Sequence, residues 1–140
     1  MKYIYFNIAF LIGIFAIPSF SQKETIYFAL IDNEYKEVQL DVKPEFIGGL
    51  TLLYKKMAEN IRYPTKARET NLQGKVLLNI YLNENGKVDN ITLAKGIGGG
   101  CDEESIRAVW IITNGGYNPA IYKGKPIKVK FEMPISFKLE

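Results

Sequence analysis

The sequence predicts an α+β domain in two layers, with two helices packed on a small antiparallel sheet of three to four strands. Three observations carry this. From Ile127 to Glu140 apolar and polar residues alternate without a break, which a helix cannot bury on one face. A second alternating run, Lys75 to Leu82, ends at Asn83-Glu84-Asn85-Gly86, turn chemistry that folds a strand back on itself. Between and before these strands lie two stretches with apolar residues at helical spacing.

Residues 1–21 read as a cleaved signal peptide: Lys2, an apolar run from Ile8 to Ile17, Pro18, then Ser19-Phe20-Ser21. The run of about ten residues is short of the roughly 20 that span a bilayer. The alternative is an uncleaved inner-membrane anchor. Residues 22–37 form an extension with a possible hairpin strand, and 38–140 form the domain. In the first part Ile26 to Ile31 and Val38 to Val42 lean towards β structure, with Asp32-Asn33-Glu34 as a turn.

A helix opens after Gly48-Gly49, with Leu50, Leu53, Tyr54, Met57 and Ile61 on its inner face. Tyr63-Pro64 stops it, because the residue before a proline is driven from helical angles, and Pro64 starts a short turn of helix, Thr65 to Glu69. The hairpin strands are Lys75–Leu82 and Lys87–Ala94, with a bulge expected at Asp89-Asn90 where the alternation slips. A glycine loop, Gly96 to Gly100, leads into the second helix. Asp102, Glu103 and Glu104 sit in its first turn, and Ile106, Val109, Trp110 and Thr113 form its inner face. Pro134 in the last strand cannot donate to a ladder, which predicts a sheet edge or a bulge there.

Composition narrows the function classes. Nine Tyr, eight Phe and 47% hydrophobic residues supply a core. A net charge of +3 from 18 basic and 15 acidic residues, dispersed along the chain, excludes a nucleic-acid surface. The single cysteine, Cys101, cannot close an internal disulfide. With no histidine to serve as its base, it reads as a buried helix-start residue rather than a nucleophile. No cysteine or histidine cluster offers a metal site. The glycine loop lacks the Gly-Lys-Ser/Thr of a phosphate cradle and would set three carboxylates beside an anion. Glu103 and Glu104, about 100° apart on a helix, do not converge on one substrate. No catalytic residue, cofactor, metal or small-molecule substrate is expected.

From about Val38 to Leu139 the chain resembles the TonB C-terminal domain. The resemblance lies in Pro44-Glu45-Phe46 with Gly48-Gly49, Tyr63-Pro64 with Ala67-Arg68, Gly74-Lys75-Val76, Asn85-Gly86-Lys87-Val88 and Gly96 to Glu104 before Arg107-Ala108-Val109. Tyr117-Asn118-Pro119, Gly124-Lys125-Pro126 and Met133 to Phe137 complete it. Ile47 stands where the family often has proline, and Tyr117 where tryptophan is usual.

The resemblance implies a periplasmic module that recognises outer-membrane TonB-dependent transporters, through their N-terminal box or plug, by β-strand addition. It would be part of, or accessory to, transport driven by the proton motive force, with inner-membrane motor proteins engaged through another subunit. Residues 22–43, at roughly 3.3 Å each, reach only about 70 Å, so the chain is expected to keep the receptor-grasping end without the motor end. The capturing edge carried over from the family is Ile127, Lys128, Val129, Lys130, Phe131, Glu132 and Met133, with Tyr63 and Pro64 as further contacts. The alternative function is a structural scaffold of the cell envelope that forms a homodimer through the same edge.

Overall fold

A computed structural model describes residues 24–140; the expected signal peptide, 1–21, lies outside the described residues. Five strands form the main sheet: β1 (Tyr27–Ile31), β2 (Glu34–Val38), β3 (Gly74–Leu82), β4 (Val88–Lys95) and β7 (Val129–Phe137). Strands β5 (Ile121–Tyr122) and β6 (Lys125–Pro126) make a separate two-stranded ribbon. The helices are α1 (Gly49–Asn60), α2 (Thr65–Glu69) and α3 (Cys101–Ile112), the last continued by a 3₁₀ turn, Thr113–Gly115. None of the described helices is long and apolar enough to cross a membrane.

The α+β expectation holds, with one strand more than the three to four expected. The sheet order is β2-β1-β7-β3-β4 and every pairing is antiparallel. Alternation does its work on β3 and β7. Val76, Leu78, Ile80 and Leu82 face the helices together with Val129, Phe131, Met133, Ile135 and Phe137, all buried. The β3–β4 register shifts between Tyr81 and Leu82, where Asp89 is left over, so the expected bulge is present.

The first hairpin differs from expectation. Its turn is two residues, Asp32 and Asn33, both left-handed at φ of 50° and 64°. Such a turn returns the chain at once, so the second strand is Glu34–Val38 rather than Val38–Val42. Beyond it Val42 makes only a bridge to Ile121.

Both long helices bury most of the expected inner face, including Ile106, Val109, Thr113, Leu53, Met57 and Ile61, but not its largest members. In α3 the buried stripe is Cys101, Ser105, Ala108, Val109 and Ile112, while Trp110 is 41% exposed. In α1 Leu53 is buried and Met57 packs on the core, but Leu50 and Tyr54 face solvent. Small residues at 101, 105 and 108 let α3 lie close on the sheet, and that close approach outranks burying its largest side chain.

The helices are tied to each other at one end. Glu104 Oε1 accepts the Arg62 N–H at 2.7 Å, and Arg107 donates to both Glu104 oxygens and to the Asn60 carbonyl at 2.8 Å. Glu104 is mostly buried, and the hydrogen bond from Arg107 holds its carboxyl below the usual range.

Tyr117 is the least comfortable polar group of the core. Its ring meets Phe46 and Phe131 edge-on at 5.6 and 5.7 Å, and its hydroxyl has no hydrogen-bond partner among the described residues. Burial, with a smaller contribution from Tyr27, pushes the phenol well above its ordinary value. Tyr117→Phe should therefore stabilise the fold by about 1 kcal/mol at neutral pH, since an unsatisfied buried hydroxyl is removed. The folded pKa lies above the unfolded one, so wild type loses stability as pH rises past about 10. The advantage of the variant should widen there, and urea midpoints at neutral and alkaline pH measure both effects.

Candidate functional site: the outer flank of the last strand

The sequence places the last strand at a sheet edge or gives it a bulge at Pro134. The fold corrects both: β7 lies in the middle, between β1 and β3, and its register with β3 runs through Pro134 without a shift. On one flank it pairs with β3 over nine residues, from Leu82↔Val129 to Gly74↔Phe137. On the other, Tyr27, Phe28 and Ala29 pair with Phe131, Lys130 and Val129. Alternation along a strand records which face is buried; it carries no signal of which strands lie alongside.

Backbone direction divides the residues of β7. The Leu30 N–H donates to the Lys128 carbonyl at 2.9 Å. Backbone groups alternate from side to side along a strand, so Lys128, Lys130, Glu132, Pro134 and Ser136 all turn towards the β1 flank. Val129, Phe131, Met133, Ile135 and Phe137 turn towards β3. The register with β1 ends at Tyr27↔Phe131. Past Glu132, the Pro134 carbonyl and both backbone groups of Ser136 have no hydrogen-bond partner among the described residues. Pro134 thus sits where its missing N–H interrupts no ladder.

Of the residues expected at the site, Lys128 to Phe131 lie beside β1, Glu132 at its end, and Met133 beyond it, buried and turned to β3, while Ile127 precedes the ladder with its N–H on the Ala120 carbonyl at 3.1 Å. The Lys130 ammonium stacks over the rings of Phe28 at 4.7 Å and Tyr35 at 5.8 Å. It therefore helps hold the first hairpin. Tyr35 in turn meets Tyr81 edge-on at 5.5 Å, and Tyr27 packs on Phe131 at 5.7 Å. Tyr63 reaches the end of β7 through its core face rather than through the backbone groups of this flank. Tyr63 donates its hydroxyl to the Leu72 carbonyl and sets its ring edge-on to Phe137 at 5.5 Å, while Pro64 precedes α2 beside Gly100. Sequence reasoning missed Ser136 and the hairpin residues Phe28, Ala29 and Tyr35. The Asp32-Asn33 turn was the available signal for the hairpin.

The glycine loop is filled from within. Gly98, Gly99 and Gly100 are all left-handed, and Asp102 turns back to accept the N–H groups of Ile97 and Gly98 at 2.8 and 3.2 Å. Its own carboxylate occupies the place an anion would take. Cys101 is fully buried; burial pushes its thiol up, and Asp102 and Glu103 push it further. Such a thiol is a poor nucleophile.

The profile of the Gram-negative bacterial TonB protein C-terminal family matches residues 59–139. Two solution structures of the Helicobacter pylori TonB C-terminal domain are similar in fold. One, of residues 179–285, has a TM-score of 0.52 at 21% identity, covering 65% of this chain and 80% of that one. The other, of residues 194–285, has a TM-score of 0.51 at 21% identity, covering 65% of this chain and 94% of that one. No curated protein matches. Since the profile spans more than half of the sequence and the fold agrees, the chain belongs to the TonB C-terminal domain family.

Proposed function

We propose that this chain is a periplasmic protein-binding module, not a catalyst. It takes the N-terminal segment of an outer-membrane TonB-dependent transporter as an added strand on the β1 flank of β7. Its place is in, or accessory to, transport driven by the proton motive force. The observation that carries the reading is the backbone of Pro134 and Ser136, which has no hydrogen-bond partner among the described residues on the β1 flank, a short ladder beside the stretch that β1 pairs. An extended peptide gains main-chain hydrogen bonds on such a ladder. Of the expected residues Ile127 to Met133, those whose backbone turns to this flank, Lys128, Lys130 and Glu132, would hold the rest of the partner.

The direction of the backbone also chooses the test. Proline at Val129 or Phe131 would break the β3 ladder and unfold the core, whereas Ser136 offers its N–H only to the open flank. Ser136→Pro is expected to weaken binding of a synthetic transporter N-terminal peptide about fivefold to tenfold, the worth of one hydrogen bond. Ser136→Ala should bind as wild type, and the urea midpoints of all three proteins should agree. Calorimetric titration reads this directly. Equal affinity in Ser136→Pro would place the peptide elsewhere. Concentration-dependent dimers with no peptide binding would favour the scaffold function.

A further inference from the structure

We infer that the β1–β2 hairpin is a displaceable stand-in for the partner strand: it occupies the Lys128–Phe131 half of the flank until an incoming segment, landing on Pro134 and Ser136, takes its place. This rests on the strand-addition reading above.

The hairpin sits as a bound peptide would. β1 runs antiparallel to β7 and draws on the same outward backbone groups, those of Lys128 and Lys130. Its own line, extended past Tyr27, runs towards Glu132 and the open groups of Pro134 and Ser136. A segment seated on those groups and extended along β7 meets β1 head-on and competes for the same bonds. The two ladders of β7 are unequal. β3 holds it by nine register pairs and β1 by three, so the β1 side opens first. β2, the outer strand of the hairpin, has no strand beyond it among the described residues. It leaves with β1 as a unit, joined by five register pairs across a two-residue turn.

What keeps the hairpin seated also describes what must replace it. Ala29 is fully buried opposite Val129, Tyr27 covers Phe131, and Phe28 lies under the Lys130 ammonium. A replacing strand needs a small residue at the Ala29 position, because the core leaves no room there. It also needs an apolar or aromatic neighbour on each side. The partner is thus an extended segment with a small residue between larger apolar ones.

A reversible lock tests this on the full chain. Phe28 and Lys130 are directly opposite in the register and turn outward, so Phe28→Cys with Lys130→Cys can be bridged across the pair. A closed state that cannot open lowers the apparent affinity by the fraction it removes. The oxidised variant is therefore expected to bind the transporter N-terminal peptide about tenfold or more weakly than the same variant after reduction. Native hydrogen exchange gives a reading that needs no ligand. The Leu30 amide, bonded to Lys128, should exchange faster than those of Leu78 and Ile80, which face β7. Equal binding by oxidised and reduced forms, or a Leu30 amide as slow as those two, overturns the inference. Absence of binding by wild type as well would remove the transporter reading itself, and the displacement with it.

Discussion

Alanine at Gly86 should lower the unfolding free energy by about 3 kcal/mol. Two costs add at this position. Gly86 has φ of +78°, a left-handed angle that costs a side-chain-bearing residue about 1–2 kcal/mol. A Cβ there would also lie 2.0 Å from the Tyr117 carbonyl oxygen, which is backbone and cannot swing aside. Gly86 lies in the loop that joins β3 to β4, its N–H on the Asn83 carbonyl at 3.0 Å and its carbonyl receiving the Tyr117 N–H at 2.8 Å. Relief of the clash would therefore disturb both the hairpin and the segment that carries Tyr117. Gly124 separates the two costs. Its φ is +77°, yet a Cβ there would meet nothing within 4 Å. Gly124→Ala should show the backbone cost alone, about 1–2 kcal/mol. Urea titrations of both variants measure the difference, and equal losses would mean that the close approach to Tyr117 carries no energy.

Phe137→Ala should cost about 3–5 kcal/mol, the range for emptying an aromatic site in a packed core. Phe137 is 2% exposed, stands last on β7 and receives the edge of Tyr63. The cavity would open between the sheet and the Tyr63–Leu72 bond, where the α1–α2 connection cannot easily collapse into it. Leu93→Ala is the comparison: at 43% exposure on β4 it should change stability by well under 1 kcal/mol. With domains typically stable by only 5–15 kcal/mol, the Phe137 variant would be part-unfolded on modest heating. Its failure to bind a peptide would then say nothing about the flank, which is why Ser136 is the better probe.

Most of the sheet was legible from residue order. The alternations of β3 and β7 name their buried faces without error, and the slip at Asp89-Asn90 marks the bulge. Helix rotation was less legible. Ranking side chains by apolarity selects Trp110, Leu50 and Tyr54, whereas α3 is seated through Cys101, Ser105 and Ala108, whose merit is small size. Of the candidate site, the strand was legible but not its place in the sheet. The last strand was identified and its outward residues named, but its neighbours on the sheet depend on long-range pairing. Nothing in Ile127 to Leu139 encodes the presence of Tyr27 to Ile31 beside it. Pro134 marks a position that needs no ladder partner for its nitrogen, and among the described residues it falls on the stretch that β1 does not reach.

The clasp of Glu104, Arg107, Asn60 and Arg62 makes the domain mechanically lopsided. On the helical side a carboxylate and a guanidinium rivet two long elements into one stiff plate, with the glycine turn braced by Asp102. At the other margin a ribbon of two short strands is fastened by three rungs to β7, one buried alanine and a few ring contacts, with no ion pair among the described residues tying it to β7. Deformation imposed on such a body concentrates in its soft margin while the plate rides through unchanged.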